Sequence, residues 1–520
     1  MKNSTRLTVV LLMFSLIFSL CACTGKQNGE ADEPEEDTGI VSIDDIDIHI
    51  PYSVRDSFNP FDAQTDMNCA LTSLMYDGLF EIDNSFKAVP LNVSSYVSTD
   101  DAIRVTVAAN AVFSDGTALS ANDVVYSFDQ AKKSSRYKSS LSCFKEAYVE
   151  SEDTVTFIYS SVTADAVNML TFPIIKAETN KTDSEDKLEV PVGSGRYALT
   201  LDENNNPYLA CNPNRLGGYQ PVYNNIGLFG IADNSNMASS FSLGQINFLI
   251  DRFTSGSFYQ TIGTAKHITM PNFVYLVFNK NKTILEDSRL RYAISLALDR
   301  QELADYSFIS YAKPAFTPFH SDYYKLAEVE TDTTHSTIKS AETLDALGFT
   351  NINEKLNFRY GKDSEVLSFD LAVSQDNEFK LSAAEKIKEQ LEKVNIKINI
   401  YKYSEKDFFK VIGSGKYDMY IGECKLKNNL DLSEFFDKTS SVSSGIDTAC
   451  ESAEAWSSYN KGETEITDFL NVFCEELPFL PLLYREGRAA SNTAISVPDE
   501  TIVTDYFYNA DKWMTVTNDQ

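Results

Sequence analysis

Apolar positions along this chain fall into three spacings: one unbroken run near the start, short stretches of period two, and longer stretches of helical period. The run is Leu7 to Ala22, uncharged, behind Lys2 and Arg6 and ahead of small residues. That is the layout of a secretory signal, and residues 1–22 are expected to leave with it. The run is slightly short for a membrane span of ~20 residues, with a stop-transfer anchor as the alternative. Period two marks strands in "VSIDDIDIHI" (41–50), "AIRVTVAA" (102–109) and "TVTFIYS" (154–160). Helical spacing of Leu71, Leu74, Met75 and Leu79 predicts a helix over 68–80 that ends near Gly78. "SANDVVYSFDQAKK" predicts a helix capped by Ser120 or Asn122, with Asp123 in its first turn.

Further along, strand and turn alternate from 191 to 251. "FVYLVFN" (273–279) is apolar on both faces and so reads as a central strand. Residues 287–306 predict one long helix starting from Asp287 or Ser288. Residues 381–403 predict a helix with the stripe Leu381, Ala384, Ile387, Leu391, Val394, then a strand; Glu389 and Lys393 add an i,i+4 pair. Mixed strands and helices over this length imply an α/β protein of several lobes. No repeat of solenoid period is visible.

The end of the first run, Leu20-Cys21-Ala22-Cys23, resembles the bacterial lipobox. That resemblance implies that Cys23 becomes the lipidated N-terminus, while Cys21 serves as a small residue and leaves with the signal. Two or three acyl chains hold a protein stably on a membrane, since each buried methylene contributes ~0.8 kcal/mol. The expectation is a secreted protein tethered to the outer face of the cell membrane. Residues 23–40 include "GEADEPEEDTG" and read as a solvated acidic linker.

The 520-residue chain carries a formal charge of −30. Loss of Lys2 and Arg6 with the signal leaves 498 residues at −32. Phosphate binding needs Lys and Arg clusters, which the sequence lacks, so nucleic acid is not an expected partner. A mature chain of this length calls for two or three domains. Six cysteines remain (Cys69, Cys143, Cys211, Cys424, Cys450, Cys474) without CxxC spacing, and the four His are dispersed. No zinc site or other cofactor is expected; the thiols either pair or stay as small buried groups.

Six segments, in order, resemble the extracytoplasmic solute-binding proteins of ABC importers that take oligopeptides, dipeptides and nickel complexes. They are "LMYDGLFEID" (74–83), "FSDGTALSANDVVYSF" (113–128), "PVGSGRYAL" (191–199), "FSLGQINFLID" (241–251), "VYLVFNKNKTILEDSRLRYAISLALDR" (274–300) and "LPFLPLLYREG" (477–487). Each also has a local reading. Asp115-Gly116-Thr117 is a turn. Gly193 and Gly195 allow positive φ where the chain crosses closely between lobes. No Lys-Ser/Thr follows them, and "GSGK" (413–416) is followed by Tyr417, so neither is a phosphate loop. Arg300, beside Asp299 at a helix end, is expected to be structural.

The resemblance implies two α/β lobes of the type II periplasmic-binding-protein kind, joined by a hinge, with an extra subdomain in the first. The first lobe would comprise 41–80, 191–273 and 485–520, the extra subdomain 81–190, and the second lobe 274–484. It also implies a monomer that binds a small solute or short peptide and delivers it to an ABC permease. By carry-over, Arg55, Asn59, Tyr275, Asn279, Glu423, Cys424 and Tyr484 are the candidate ligand-binding residues. Peptide-binding members have a Gly-Trp segment followed by an Asp that pairs the peptide's amino terminus. Here "DMYIGECKLKNNLDL" (418–432) keeps Gly422 but has Glu423 for the Trp and Leu426 for the Asp. Either Glu423 or Asp431 takes the place of that Asp, or the ligand has no free amine there. With Trp456 and Trp513 alone available, aromatic surface must come from 27 Tyr and 33 Phe. The other readings are an extracellular peptide-sensing receptor and a secreted hydrolase. For the hydrolase no GxSxG, HExxH or SxxK arrangement stands out, so no enzyme activity is expected.

Overall fold

The apolar run at 273–279 lies in the inner half of a longer strand, Thr264–Phe278, and is central as expected. Met419–Lys425 pairs along one edge and Leu480–Ser491 along the other, both antiparallel. The computed structural model describes residues 46, 48–179, 190–253, 263–353, 355–361, 365–492, 505–508 and 510. The signal, lipobox and linker readings lie outside the described residues, as does most of the strand expected at 41–50.

Two apolar cores are built around that strand pair. One gathers Ile48, Leu71, Val105 and Phe157 with Ile268, Met270 and Ala489. The other gathers Phe273 through Phe278, Ile294, Ile387 and Phe435 with Leu480, Leu482 and Leu483. Each long strand therefore begins in one core and ends in the other. The change of core coincides with a register shift between Thr269 and Asn272, where Pro271 has no N–H to give the ladder.

The first core is covered by two sheets. His49–Ser53 runs parallel to Asn225–Ile231, followed by Pro207–Cys211 and Tyr197–Leu201. A separate antiparallel sheet orders Val93–Ser98, Ala102–Val107, Thr154–Tyr159 and Phe144–Val149. Helix Ala121–Ala131 packs on it through Phe128, whose ring centroid lies 5.5 Å from that of Phe157. Asp123 fixes the helix start, accepting from the Ser120 N–H (2.9 Å) and hydroxyl (2.6 Å). In the second core Ser368–Ser374 and Lys397–Tyr403 pair in parallel, linked by helix Glu378–Glu392. Asn377 caps that helix one turn before the apolar stripe, and Lys393 meets Glu389 at 3.3 Å.

Three expectations are corrected. The helix expected at 68–80 is Asp66–Met75, capped by Thr65, and the chain is already extended at Tyr76. The helix expected over 287–306 breaks after Ser288–Ala297: Leu298 is extended, and Asp299 caps a new turn by accepting the Glu302 N–H. Arg300 is structural, its buried guanidinium donating to the Pro481 carbonyl and the Ser295 hydroxyl. Finally, neither Gly193 nor Gly195 has positive φ. Both are glycine because of close approach to the end of helix Asp66–Met75 within the first core: an added Cβ would lie 2.3 Å from the Met75 oxygen and 2.4 Å from its carbonyl carbon, respectively. The Asp115 turn is as expected, with Gly116 at φ 79 and Thr117 N–H and hydroxyl bonded to Asp115.

Where the strands change core, Glu423 ties them together. Its buried carboxylate accepts from Arg485 (2.7 Å) and Asn272 (3.3 Å) and pairs with Lys380 of helix Glu378–Glu392 (3.3 Å). Burial alone would raise its pKa, but Arg485 and Lys380 hold it below the ordinary carboxylate value. This pairing therefore stabilises the fold above about pH 4.3, the unfolded value, and is lost as pH falls through the lower folded value. Glu423→Gln leaves two enclosed cations unbalanced and should cost about 3–5 kcal/mol. Urea unfolding from pH 7 to pH 3 should show the gap to the wild type narrowing towards acid. Gly195→Ala, in contrast, should cost about 1–3 kcal/mol through overpacking, with a urea-measured loss that does not change over the same pH range.

Candidate functional site

Strand Met419–Lys425 ends at the register shift, where the Leu426 N–H donates to the Pro271 carbonyl at 2.9 Å. The chain then turns through 426–433, fastened by Asp431, which accepts from Lys427 (3.0 Å) and from the Ser433 N–H (2.9 Å) and hydroxyl (2.5 Å). Facing it is the start of helix Asp66–Met75. Asp56 holds that start in place by accepting from the Thr65 N–H (2.7 Å) and hydroxyl (2.6 Å). The segment after helix Ala121–Ala131 is tied down by the Ser134 hydroxyl on the Phe61 carbonyl at 2.6 Å. This directs Arg136 back to the Thr72 hydroxyl (3.1 Å) and the Cys69 carbonyl (3.3 Å).

These elements enclose three cavities that share walls. The first, about 280 Å³, is bounded by Asp66, Cys69, Arg136, Arg252, Lys425 and Tyr506, among others. Arg136 and Lys425 also wall a second, about 260 Å³, with Tyr137, Met169, Thr171 and Asn428. Ser140, Met169 and Lys427 carry this into a third, about 220 Å³, with Cys143, Asp431 and Asn460. Each is walled from the first-core side and, on the other, by Lys425 or by residues of 425–433 and Asn460, and side chains reach across. Asn428 donates to the Thr171 hydroxyl (3.1 Å), and Asn429 to the Ala164 carbonyl (2.9 Å). Asn460 accepts from the Ala164 N–H (2.9 Å) and the Thr163 hydroxyl (3.0 Å). Asp165, at φ 51, accepts from Tyr323 (2.5 Å), Tyr324 (2.9 Å) and Lys325 (3.0 Å).

The charge in the first cavity is lopsided. Arg252 donates to the Asp66 carboxylate and the Tyr506 phenol, and its buried Nε has no partner among the described residues. Lys425 is exposed at the end of its strand, and the protein packed around that end, with its cations, is what moves its pKa. Burial, then Arg252 and Arg136, push the ammonium down to about 8, with Asp66 the nearest compensation. Burial pushes the Cys69 thiol and the Tyr506 phenol up. All six described cysteines are free thiols, and the same burial effect raises each of them. Among the described residues no group of three His, Cys, Asp or Glu is placed to hold a metal ion.

None of the seven carried-over residues lines these three cavities. Arg55 is exposed on the turn after His49–Ser53, near Asp233. Asn59 is buried and accepts from the Phe61 N–H at 3.0 Å. Tyr275 lies in the second core against Phe435, its ring filling the space that Gly422 leaves. Asn279 donates to the Gly415 and Tyr417 carbonyls. Cys424 packs against the second core, and Tyr484, fully buried, donates to the Pro318 carbonyl at 2.8 Å. Glu423 is committed to Arg485 and Lys380. The cavity-lining Arg136, Arg252, Lys425 and Tyr506 are not among the residues carried over from the sequence. Lys425 and Lys427 stand just past Glu423 and Cys424, and a pair of cations closing a strand in so acidic a chain was the available signal.

Comparison with known proteins agrees with this architecture. The family described as bacterial extracellular solute-binding proteins, family 5 (middle part), matches residues 87–443. The glutathione-binding protein GsiB of Escherichia coli (strain K12) is 25% identical over 275 residues, which is 50% of this chain and 53% of that protein. The chain thus matches about half the length of these curated relatives. NikA from Brucella suis, solved in complex with Fe(III)-EDTA, superposes with a TM-score of 0.66 at 17% identity, covering 90% of this chain and all of that one. The unliganded open form of MppA, a periplasmic murein tripeptide binding protein, gives 0.72 at 15% identity, covering 90% and 97%. The fold is the two-lobed α/β arrangement of these binding proteins. Among the described residues no helix is long and apolar enough to cross a membrane. With more than half of its length matched, the chain belongs to the family 5 bacterial extracellular solute-binding proteins.

Proposed function

We propose that this protein captures a peptide-like or other small solute between its lobes and delivers it to an ABC importer, held at the membrane by a lipid on Cys23. The observation that carries this is the row of three connected cavities walled by both cores, lying where two continuous strands change core. A solute there touches both lobes, and so favours the arrangement in which they are close. The division expected from the sequence fits this reading, with 274–484 as the second lobe and 81–190 as the extra subdomain. The relatives' names, a glutathione-binding protein and a murein tripeptide binding protein, favour a peptide-like solute, and an iron chelate complex widens the class. Family membership favours a binding protein without catalysis of its own, acting as a monomer. A peptide sensor would use the same cleft, and only the partner that reads it would differ.

The test is native mass spectrometry of the protein from residue 24 onward, purified gently, with release and identification of what it carries. A set of short peptides is the expected outcome. A single sugar or chelate would overturn the peptide-like reading and keep the solute-binding one. An empty protein that also takes nothing from a peptide hydrolysate would overturn both.

A further inference from the structure

Two carboxylates in the 418–432 segment could have met a ligand's ammonium, and both are committed within the protein. Glu423 is held by Arg485, Lys380 and Asn272. Asp431 is held by Lys427 and Ser433. One residue past Cys424, the strand instead ends in Lys425, which among the described residues has no carboxylate within ion-pair distance. Around the first cavity Arg136, Arg252 and Lys425 face one wall carboxylate, Asp66, which Arg252 already engages. In a chain of net charge −30, cations so placed are not a general surface property. Two guanidinium groups and an ammonium around one cavity repel each other, and an anion placed among them relieves that repulsion.

We propose that this cavity holds a carboxylate of the solute, with Lys425, Arg136 and Arg252 as its cationic walls, so that the cleft selects acidic solutes over those whose charge is a free ammonium. This rests on the reading of the cavities as the solute cleft and names the class of solute that cleft takes. Guanidinium groups suit a carboxylate by their fork geometry, and Lys425 adds a point charge. The Arg252 Nε supplies a buried donor without a partner among the described residues.

A pH dependence follows from the groups facing Lys425. Arg136 and Arg252 stay charged, Asp66 is paired with Arg252, and burial keeps the Cys69 thiol and Tyr506 phenol protonated. Lys425 alone titrates near neutrality in the empty cavity, at about 8. A bound carboxylate raises that value, so capture is strongest with the ammonium protonated and weakens as pH rises above 8.

The experiment uses casein hydrolysate in two blocked forms, one acetylated on its amines and one amidated on its carboxylates. Each is offered to the purified protein, and captured material is identified by mass spectrometry after release. Capture of the acetylated form, and not the amidated one, is expected. Lys425→Gln should weaken that capture about tenfold or more with no loss of thermal stability, since it removes a cation that forms no ion pair among the described residues. Lys425→Arg should retain capture and hold it level between pH 7 and 9. Capture of the amidated form, or a Lys425→Gln variant that captures as well as the wild type, overturns the carboxylate assignment and leaves the solute-binding reading standing. Capture of neither form by the folded protein overturns the peptide-like reading, and this assignment with it.

Discussion

Everything in this fold depends on one strand pair. Thr264–Phe278 and Leu480–Ser491 are hydrogen-bonded to each other from Thr264 opposite Ser491 to Leu276 opposite Leu480, and each supplies side chains to two separate cores. A ladder of that length is stiff along its strands and bends where the pairing is interrupted. The interruption at Pro271 falls where the side chains change core. Phe273 to Phe278 are buried on both faces, with a second register shift between Val274 and Tyr275. In the reading proposed, movement of one lobe against the other pivots at the Pro271 interruption, beside the cavities. The ion pairs of Glu423 hold the second-core side of that junction to helix Glu378–Glu392 and to Arg485 of strand Leu480–Ser491.

Much of the architecture was legible because local rules and tertiary demands agree. The helix and strand across 378–403 follow from spacing, a cap and an i,i+4 pair, and the continuous apolar face of Phe273 to Phe278 announces a strand buried on both sides. The errors arose where a tertiary contact overrode the local pattern. Nothing in the spacing of 287–306 marks the break at Leu298, which is fixed by Asp299 as a cap and by Arg300 turning inward to the Pro481 carbonyl. Gly193 and Gly195 read locally as conformational freedom, whereas their cause is a helix end packed against them from more than a hundred residues away.

The candidate site was less legible, for a related reason. Residues on the crossing strands are prominent in the sequence because they are apolar and regular, and those same properties bury them. Tyr275 and Tyr484 fill the second core, with their hydroxyls taken out of water. The side chains that face the cavities stand at a strand end (Lys425), after a helix (Arg136) and in segments distant in the chain (Arg252, Tyr506). No periodicity links such positions; only the folded chain brings them together. Glu423 lies two residues from Lys425 on the same strand, and its carboxylate is already claimed by Arg485 and Lys380.

Charge and lobe movement are coupled in such a cleft. Two unit charges interact several times more strongly in a partly enclosed site than in open water, because the effective dielectric constant falls as water leaves. In the reading proposed, a carboxylate between Arg136 on the first-core side and Lys425 on the second gains most of its attraction only when the lobes approach. Without an anion the same approach brings those cations together with Arg252, and their repulsion opposes it. The hydrogen bonds across the cleft, from Asn428, Asn429, Asn460 and the Asp165 cluster, are short-ranged and hold only once the lobes are near. Long-range charge then decides whether the approach occurs, and the short-range bonds decide how well the closed arrangement is kept. In that reading an acidic solute removes this repulsion, and the cavity distinguishes solutes by charge before any finer contact is made.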